Sequence, residues 1–400
     1  MHLIFLTLGY HPDQIGGAFR YVTAVAERLA ARAHQVTVVY PASQPTATTE
    51  ARAGVRLLRY PNPAGPFWAN WRRENKTARQ LWQGAARTAT EPALLVGCHA
   101  YFASAFRACA GPRLFLFTGP WAEEHRFARQ AQARSWPQRL VDRLIIAGMR
   151  RSEGHALRHA GCILTISRYY QEQLARWHGA NLPPVRLILA GVDPERFHRT
   201  ADRGATRAKF GLSQDQFLFL AVRRLDPRMG LLTLIDGFGR IAPGFPAARL
   251  WIAGTGPQRG VLAERIARQG LEASVKLLGL VPEADLVPLL NAADCVVVPS
   301  LDLEGFGLIT VESLTCGTPV VASKAGANPE ILSPLDPALM FATGSAAGLA
   351  ARLESVLRDP GALPDRTRCR DYAVANFSWD RTVVAFEEAA AAGLESGGAP

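Results

Sequence analysis

Residues 299–322 read PSLDLEGFGLITVESLTCGTPVVA. An apolar strand, Cys295 to Val298, runs into this stretch. A glycine-bearing turn follows, a helix is expected from near Phe306, and a second apolar run, Thr318 to Ala322, closes the unit. Strand, turn, helix and returning strand at these lengths form the building block of a parallel sheet covered by helices. The same pattern recurs outward along the chain. Strands are expected at Phe217 to Val222, Arg249 to Ala253 and Ser274 to Leu278 on one side. On the other they are expected at Leu3 to Leu8, Gln35 to Tyr40, Val55 to Tyr60, Ala93 to Cys98, Arg113 to Thr118, Cys162 to Ile166 and Val185 to Leu189. The polar stretch 193–216, with Pro194, Gly204 and Gly211 and no apolar run, separates the two series and reads as the linker. The fold class is α/β, with two Rossmann-like, doubly wound domains at 1–195 and 196–375 and a C-terminal helix within 376–400, for which Ser378 is the expected N-cap.

Composition excludes several classes. Of the 400 residues, 48% are hydrophobic and 20% charged, enough apolar material for large cores and too much for a disordered chain. No apolar run approaches the roughly 18 to 20 residues of a membrane span. MHLIFLTLGY lacks a basic leader and a cleavage site, so it reads as a first buried strand rather than an export signal. Six scattered cysteines without a C-x-x-C pair read as reduced core thiols in a cytoplasmic protein.

Within the opening stretch, Glu304 precedes the expected helix and Glu312 lies inside it. Eight steps along an ideal helix leave the two carboxylates about 80° apart around the axis and about 12 Å apart along it. They cannot grip one atom, but they can meet two parts of an elongated ligand. Gly305 and Gly307 clear the helix entrance, where free amides and the helix dipole favour an anion such as a diphosphate. A nucleotide sugar has that layout; two solvated charges are the alternative for an isolated pair. Four further segments accompany the pair: Arg223-Arg224 at a strand end, Gly254-Thr255-Gly256-Pro257 after the next strand, Gly279-Leu280-Val281 after another, and Gly326-Ala327-Asn328-Pro329-Glu330.

In this order and spacing, and with AADCVVVPS, CGTPVVAS and GANPEIL, these segments resemble the nucleotide-sugar-binding domain of the GT-B glycosyltransferases of retaining family four, over nearly all of residues 216–335. The resemblance implies two Rossmann-like domains facing across a deep cleft, with the last helix returning to the first domain. It also implies donor-sugar contact by Glu304, ribose contact by Glu312, main-chain contact from Gly305, Phe306, Gly307 and Leu308, and donor roles for Gly17, Arg224, Arg228, Gly254, Gly256 and Leu280. Arg224 and Glu304 would be catalytic, with Arg224 stabilising the departing diphosphate. One departure stands out. The family pattern Arg-Leu-x-x-x-Lys-Gly has Arg224-Leu225 in place but Met229 where the lysine belongs, with Arg228 or Arg223 as substitutes.

In the first half, Gly16-Gly17-Ala18-Phe19-Arg20 resembles the family's glycine-rich acceptor and phosphate loop, and FTGPWAEE (117–124) resembles its His-Gly-Pro-Trp signature, with Thr118 in the histidine's place. Threonine offers a hydrogen bond but no imidazole chemistry. The acceptor set is thus Gly16, Gly17, Arg20, His99 and Trp121, with Thr118 in the catalytic position and His125 a further neighbour. The implied activity is retaining transfer, hexosyl in the leading case, from a nucleoside-diphosphate sugar to a hydroxyl of a glycan, lipid-linked or small-molecule acceptor, in glycan, glycolipid or natural-product biosynthesis. No D-x-D-like metal set occurs, and no metal or cofactor is expected beyond the co-substrate. A non-catalytic nucleotide-sugar-binding regulator and a sugar-nucleotide epimerase are the alternatives.

Lys and Arg (45) outnumber Asp and Glu (34), and residues 121–160 hold eight arginines (126, 129, 134, 139, 143, 150, 151, 158) against four acids. Interleaved with Phe127, Trp136, Leu140, Leu144, Ile145 and Ile146, they read either as a basic amphipathic surface resting on anionic lipid at the inner membrane face or as a solvated helix face. No nucleic-acid-reading module accompanies them.

Overall fold

The computed structural model describes residues 1–42, 46–62, 67–130 and 135–396. The chain forms two units, Met1–Ala190 joined by the helix Trp379–Ser396, and Gly191–Ser378. The sequence-based boundaries fell at 195/196 and 375/376; the units divide after Ala190 and after Ser378.

The first unit holds β1 (His2–Leu6), β2 (Gln35–Ala42), β3 (Thr48–Arg52), β4 (Val55–Pro61), β5 (Ala93–Gly97), β6 (Arg113–Phe117), β7 (Cys162–Thr165) and β8 (Val185–Leu187) in the order β3-β4-β2-β1-β5-β6-β7-β8. Only β3 runs antiparallel to its neighbour. Every residue of β1 is buried, as a central parallel strand covered on both faces requires. Strand β3, sequence TTEAR, was not expected: it has no apolar residue except Ala51, and the reversal at Ala53-Gly54, both at positive φ, folds it onto β4. The helix Trp379–Ser396 closes this unit. Phe386 stacks on Phe5 of β1 at 5.7 Å, Trp379 meets the Tyr21 ring at 5.5 Å, and the Thr382 hydroxyl donates to the Leu189 carbonyl at 2.7 Å.

The second unit holds β9 (Phe217–Val222), β10 (Ala248–Ala253), β11 (Val275–Gly279), β12 (Cys295–Val298), β13 (Val320–Ser323) and β14 (Met340–Phe341), all parallel, in the order β11-β10-β9-β12-β13-β14. Its core packs Phe219, Leu250, Ile252 and Val297 of the sheet against Leu234, Ile235 and Phe238 of the helix Leu231–Ile241 and Leu349 and Leu353 of the helix Ala346–Arg358. Two residues make β14 too short to announce itself in sequence.

The stretch 193–216, expected as a linker, is instead packed onto this unit. It carries the helix Arg203–Lys209, whose buried Arg207 donates to the carbonyls of Ala292, Ser213 and Gln216 and pairs with Asp294 at 2.9 Å. Polar sequence hides burial here because the guanidinium finds main-chain acceptors. For the same reason the helix Arg366–Asn376, capped by Asp365, carries no apolar signature. Among the described residues no helix is long and apolar enough to cross a membrane, and all six cysteines are buried and unpaired.

Candidate functional site

The stretch that decides the fold also builds the site. Past the end of β12 the chain does not enter the helix at Phe306, as expected, but at Leu308. Gly307, at φ 84°, is the left-handed N-cap, and Leu303, at φ 54°, is a second left-handed residue just before Glu304. Residues 303–307 therefore form a turn, and the ideal-helix angle between Glu304 and Glu312 does not apply. A leucine in that conformation is strained, and it is held from both sides: its amide donates to Asp302 at 2.8 Å and its carbonyl accepts from Arg228 at 3.1 Å. Gly326, at φ 56°, seats the turn from below. A Cβ on it would lie 2.3 Å from the Glu304 carbonyl, so only glycine lets the two backbones approach.

Glu304 is 7% exposed. Its Oε2 accepts from the Ser300 hydroxyl at 2.6 Å and pairs with Arg223, which also donates to Ser300 at 2.9 Å and lies 3.0 Å from the Met229 sulfur. Burial alone would raise the pKa of this carboxyl. The Arg223 charge, the hydrogen bonds from Ser300 and Arg223, and the more distant Arg228 outweigh it and hold the group below the ordinary carboxylate range. Glu304 is thus an oriented carboxylate.

The arginine that meets Glu304 is therefore Arg223 and not Arg224, the one expected to face the helix mouth. Arg224, 70% exposed, has its nearest carboxylate, Asp226, 3.9 Å away. The reason is alternation: the Arg223 amide continues the ladder from β9 onto Ala253, so successive side chains leave on opposite faces.

Around Gly307 three oxygens converge. A Cβ there would lie 3.3 Å from Thr310 Oγ1 and 3.6 Å from both Asn328 Oδ1 and Glu304 Oε1. Thr310 and Asn328 are fully buried, and among the described residues these two oxygens have no hydrogen-bond partner. The amides of Leu308 and Ile309, in the first turn, have no intrahelical acceptor. Acceptors wanting donors thus stand beside donors wanting an anion, the pattern that a hydroxyl-rich ligand carrying phosphate would fill. The Phe306 ring is committed to Phe377 at 5.7 Å, which leaves only its main chain for such a ligand. Gly305 is half-buried and Glu312 buried, on the second turn of the helix. Gly254 and Gly256 let the turn after β10 approach the Arg223–Leu225 main chain, and Leu280 is exposed just beyond β11. Sequence offers Arg223 only as a stand-in for the missing lysine and gives Ser300, Thr310 and Asn328 no role, although all three lie inside the motif segments.

In the first unit the expected residues gather at the carboxyl ends of the strands. Gly16 caps the helix Gly17–Ala31, with half-buried Arg20 in its first turn. Thr118 follows β6, and the Trp121 ring stands edge-on to His99 at 5.6 Å. His99 accepts from the Tyr101 amide through Nδ1 at 3.0 Å, which puts its hydrogen on Nε2, and desolvation lowers its pKa to about 4. It is a neutral N–H donor at neutral pH. Nearby, Glu74 takes the Tyr101 hydroxyl at 3.1 Å, and burial raises its carboxyl pKa. No motif announced Glu74. Arg134, part of the arginine-rich window, lies outside the described residues.

A double α/β fold with an oxygen-lined helix mouth of this kind defines a glycosyltransferase of GT-B architecture. Residues 202–375 match the family described as Glycosyl transferases group 1, and residues 15–196 match Glycosyltransferase Family 4. The two models together take in nearly the whole chain, which is a glycosyltransferase of this group. It is 26% identical over 408 residues to a glycogen synthase of Mycobacterium tuberculosis, covering 96% of this chain and 93% of that one. Among solved structures, the sucrose-phosphate synthase of Thermosynechococcus elongatus superposes with a TM-score of 0.82 at 22% identity over 99% of both chains. The Anabaena protein HepE in complex with UDP-glucose superposes with a TM-score of 0.74 at 19% identity, over 98% of this chain and 100% of that one. Both solved structures share the fold.

Proposed function

We propose that this glycosyltransferase moves a hexose from a nucleoside-diphosphate sugar to an acceptor hydroxyl with retention at the anomeric carbon, in the cytoplasm and in peripheral contact with an anionic membrane. The convergence of Glu304 Oε1, Thr310 Oγ1 and Asn328 Oδ1 on Gly307, beside the open helix amides, carries this reading. Sugar hydroxyls donate to the three oxygens, the diphosphate lies against the amides of Leu308 and Ile309, and Glu312 takes the ribose diol. The acceptor oxygen bonds to the anomeric carbon on the face from which the diphosphate leaves. Its proton passes to the departing phosphate oxygen, and no covalent glycosyl-enzyme forms. Arg224, largely exposed and 3.9 Å from Asp226, and Arg228 offset the growing phosphate charge with the helix dipole. In the first unit, Gly16, Gly17, Arg20, His99 and Trp121 receive the acceptor, with the Thr118 hydroxyl as a hydrogen-bonding group. Neither a metal nor a resident cofactor takes part.

Incubation with a panel of uridine, adenosine and guanosine diphosphate sugars and carbohydrate or lipid acceptors tests this. Nucleoside diphosphate release that requires acceptor, survives EDTA and gives a product of unchanged anomeric configuration is expected. An inverted product, or tight donor binding with no turnover on any acceptor, overturns the reading.

A further inference from the structure

The helix Trp136–Arg158 carries two different faces. Asp142, Met149 and Glu153 are buried, and its second half is tied to the carboxyl end of the first sheet: Ser152 donates to the Ala100 carbonyl at 3.4 Å, and Glu153 accepts from the Ala122 amide at 3.3 Å. Its first half turns large apolar side chains outward. Trp136 is 76% exposed, Leu140 46%, Val141 53% and Leu144 67%. At about 100° per residue, Trp136, Leu140, Leu144 and Arg151 fall within about 80° of arc, with Arg143 and Arg139 along one flank. The helix's two acids lie on the opposite, buried side. The outward face is therefore apolar and cationic, with no acid.

We propose that this face docks on an anionic lipid bilayer, with Trp136, Leu140, Val141 and Leu144 in the headgroup and upper acyl region and Arg143 and Arg151 on lipid phosphates. Two observations select this occupant. Four outward apolar side chains on three turns, one of them a tryptophan at the helix start, match an interfacial helix that buries one side by about 5–10 Å. A face whose charges are all positive repels a second copy of itself, and it complements a negative surface. Because the second half of the helix lies beside His99 and Trp121, docking holds the carboxyl end of the first sheet near the membrane, where an acceptor anchored by a lipid chain would present its hydroxyl. This docking rests on the membrane contact proposed above and not on the donor chemistry, so its failure removes that contact and leaves the proposed reaction untouched.

Vesicle co-sedimentation of the full chain, without nucleotide sugar, tests it. Binding to phosphatidylcholine vesicles containing phosphatidylglycerol, little binding to phosphatidylcholine alone, and release by salt are expected. Leu140→Ser with Leu144→Ser should weaken binding at least about tenfold. Arg143→Gln and Arg151→Gln should each weaken it about fivefold and flatten the salt dependence. These side chains are exposed, so far-ultraviolet dichroism should not change. If the paired serine variant misfolds, Trp136→Glu alone serves the same purpose. Binding equal for wild type and variants, no preference for anionic vesicles, or a self-association in sedimentation velocity that the serine variant abolishes without any vesicle binding would each overturn the proposal.

Discussion

Glu304 and Arg223 form a buried charge pair whose partners cannot be removed separately without cost. Arg223→Met leaves a desolvated carboxylate, and Glu304→Ala leaves a desolvated guanidinium. Each should cost about 3–5 kcal/mol, while the double variant should cost less than the sum, as urea unfolding would show. Transfer should vanish in Glu304→Ala; unchanged turnover would remove it from the site. Because the Glu304 pKa is depressed in the fold, the pair's contribution is present above the unfolded value of 4.5 and is lost as pH falls through the lower folded value. His99 titrates in a different window. Its folded pKa of about 4 lies below the unfolded 6.5, so the unfolded state binds the extra proton and stability declines as pH drops from 6.5 towards 4. His99→Asn keeps an N-cap acceptor without titrating and should flatten that part of a stability profile measured by thermal melting. At this scale the motif made Glu304 legible. Which of two adjacent arginines would meet it was not legible, because that depends on the strand face at Arg223.

Elements succeed or fail on how they are seated. Gly326 lies under the turn that presents Glu304, so Gly326→Ala imposes both a left-handed alanine and a clash with the Glu304 carbonyl. A loss of about 1–3 kcal/mol is expected, with a drop in turnover beyond what the melting temperature accounts for. Gly148, in the middle of the helix Trp136–Arg158, has nothing within 4 Å of an added Cβ, and Gly148→Ala should stabilise by about 0.5–1 kcal/mol with no change in turnover. The apolar strands were readable from their runs. Strand β3 and the helices Arg203–Lys209 and Arg366–Asn376 were not, because their stability comes from ladder pairing, caps and buried arginines rather than from apolar periodicity.

For the whole molecule, the chain leaves its first unit at Ala190 and comes back to it at Trp379. The returning helix buries Phe386 fully against Phe5. Phe386→Ala should destabilise the first unit by about 3–5 kcal/mol, visible as an early unfolding step, while nucleotide binding, which is read onto the second unit, persists. Simultaneous loss of both would mean that the units do not unfold separately. Two α/β units, their apolar parallel strands and the acidic residues at the helix mouth were determined by sequence alone, since apolar runs and glycine turns act locally on the backbone. Tertiary structure alone decided that Arg223 clamps Glu304, that Thr310 and Asn328 aim bare oxygens at Gly307, and that Trp136, Leu140 and Leu144 stay outside the core. Those outcomes depend on which faces meet across elements distant in the chain, and no local pattern encodes that.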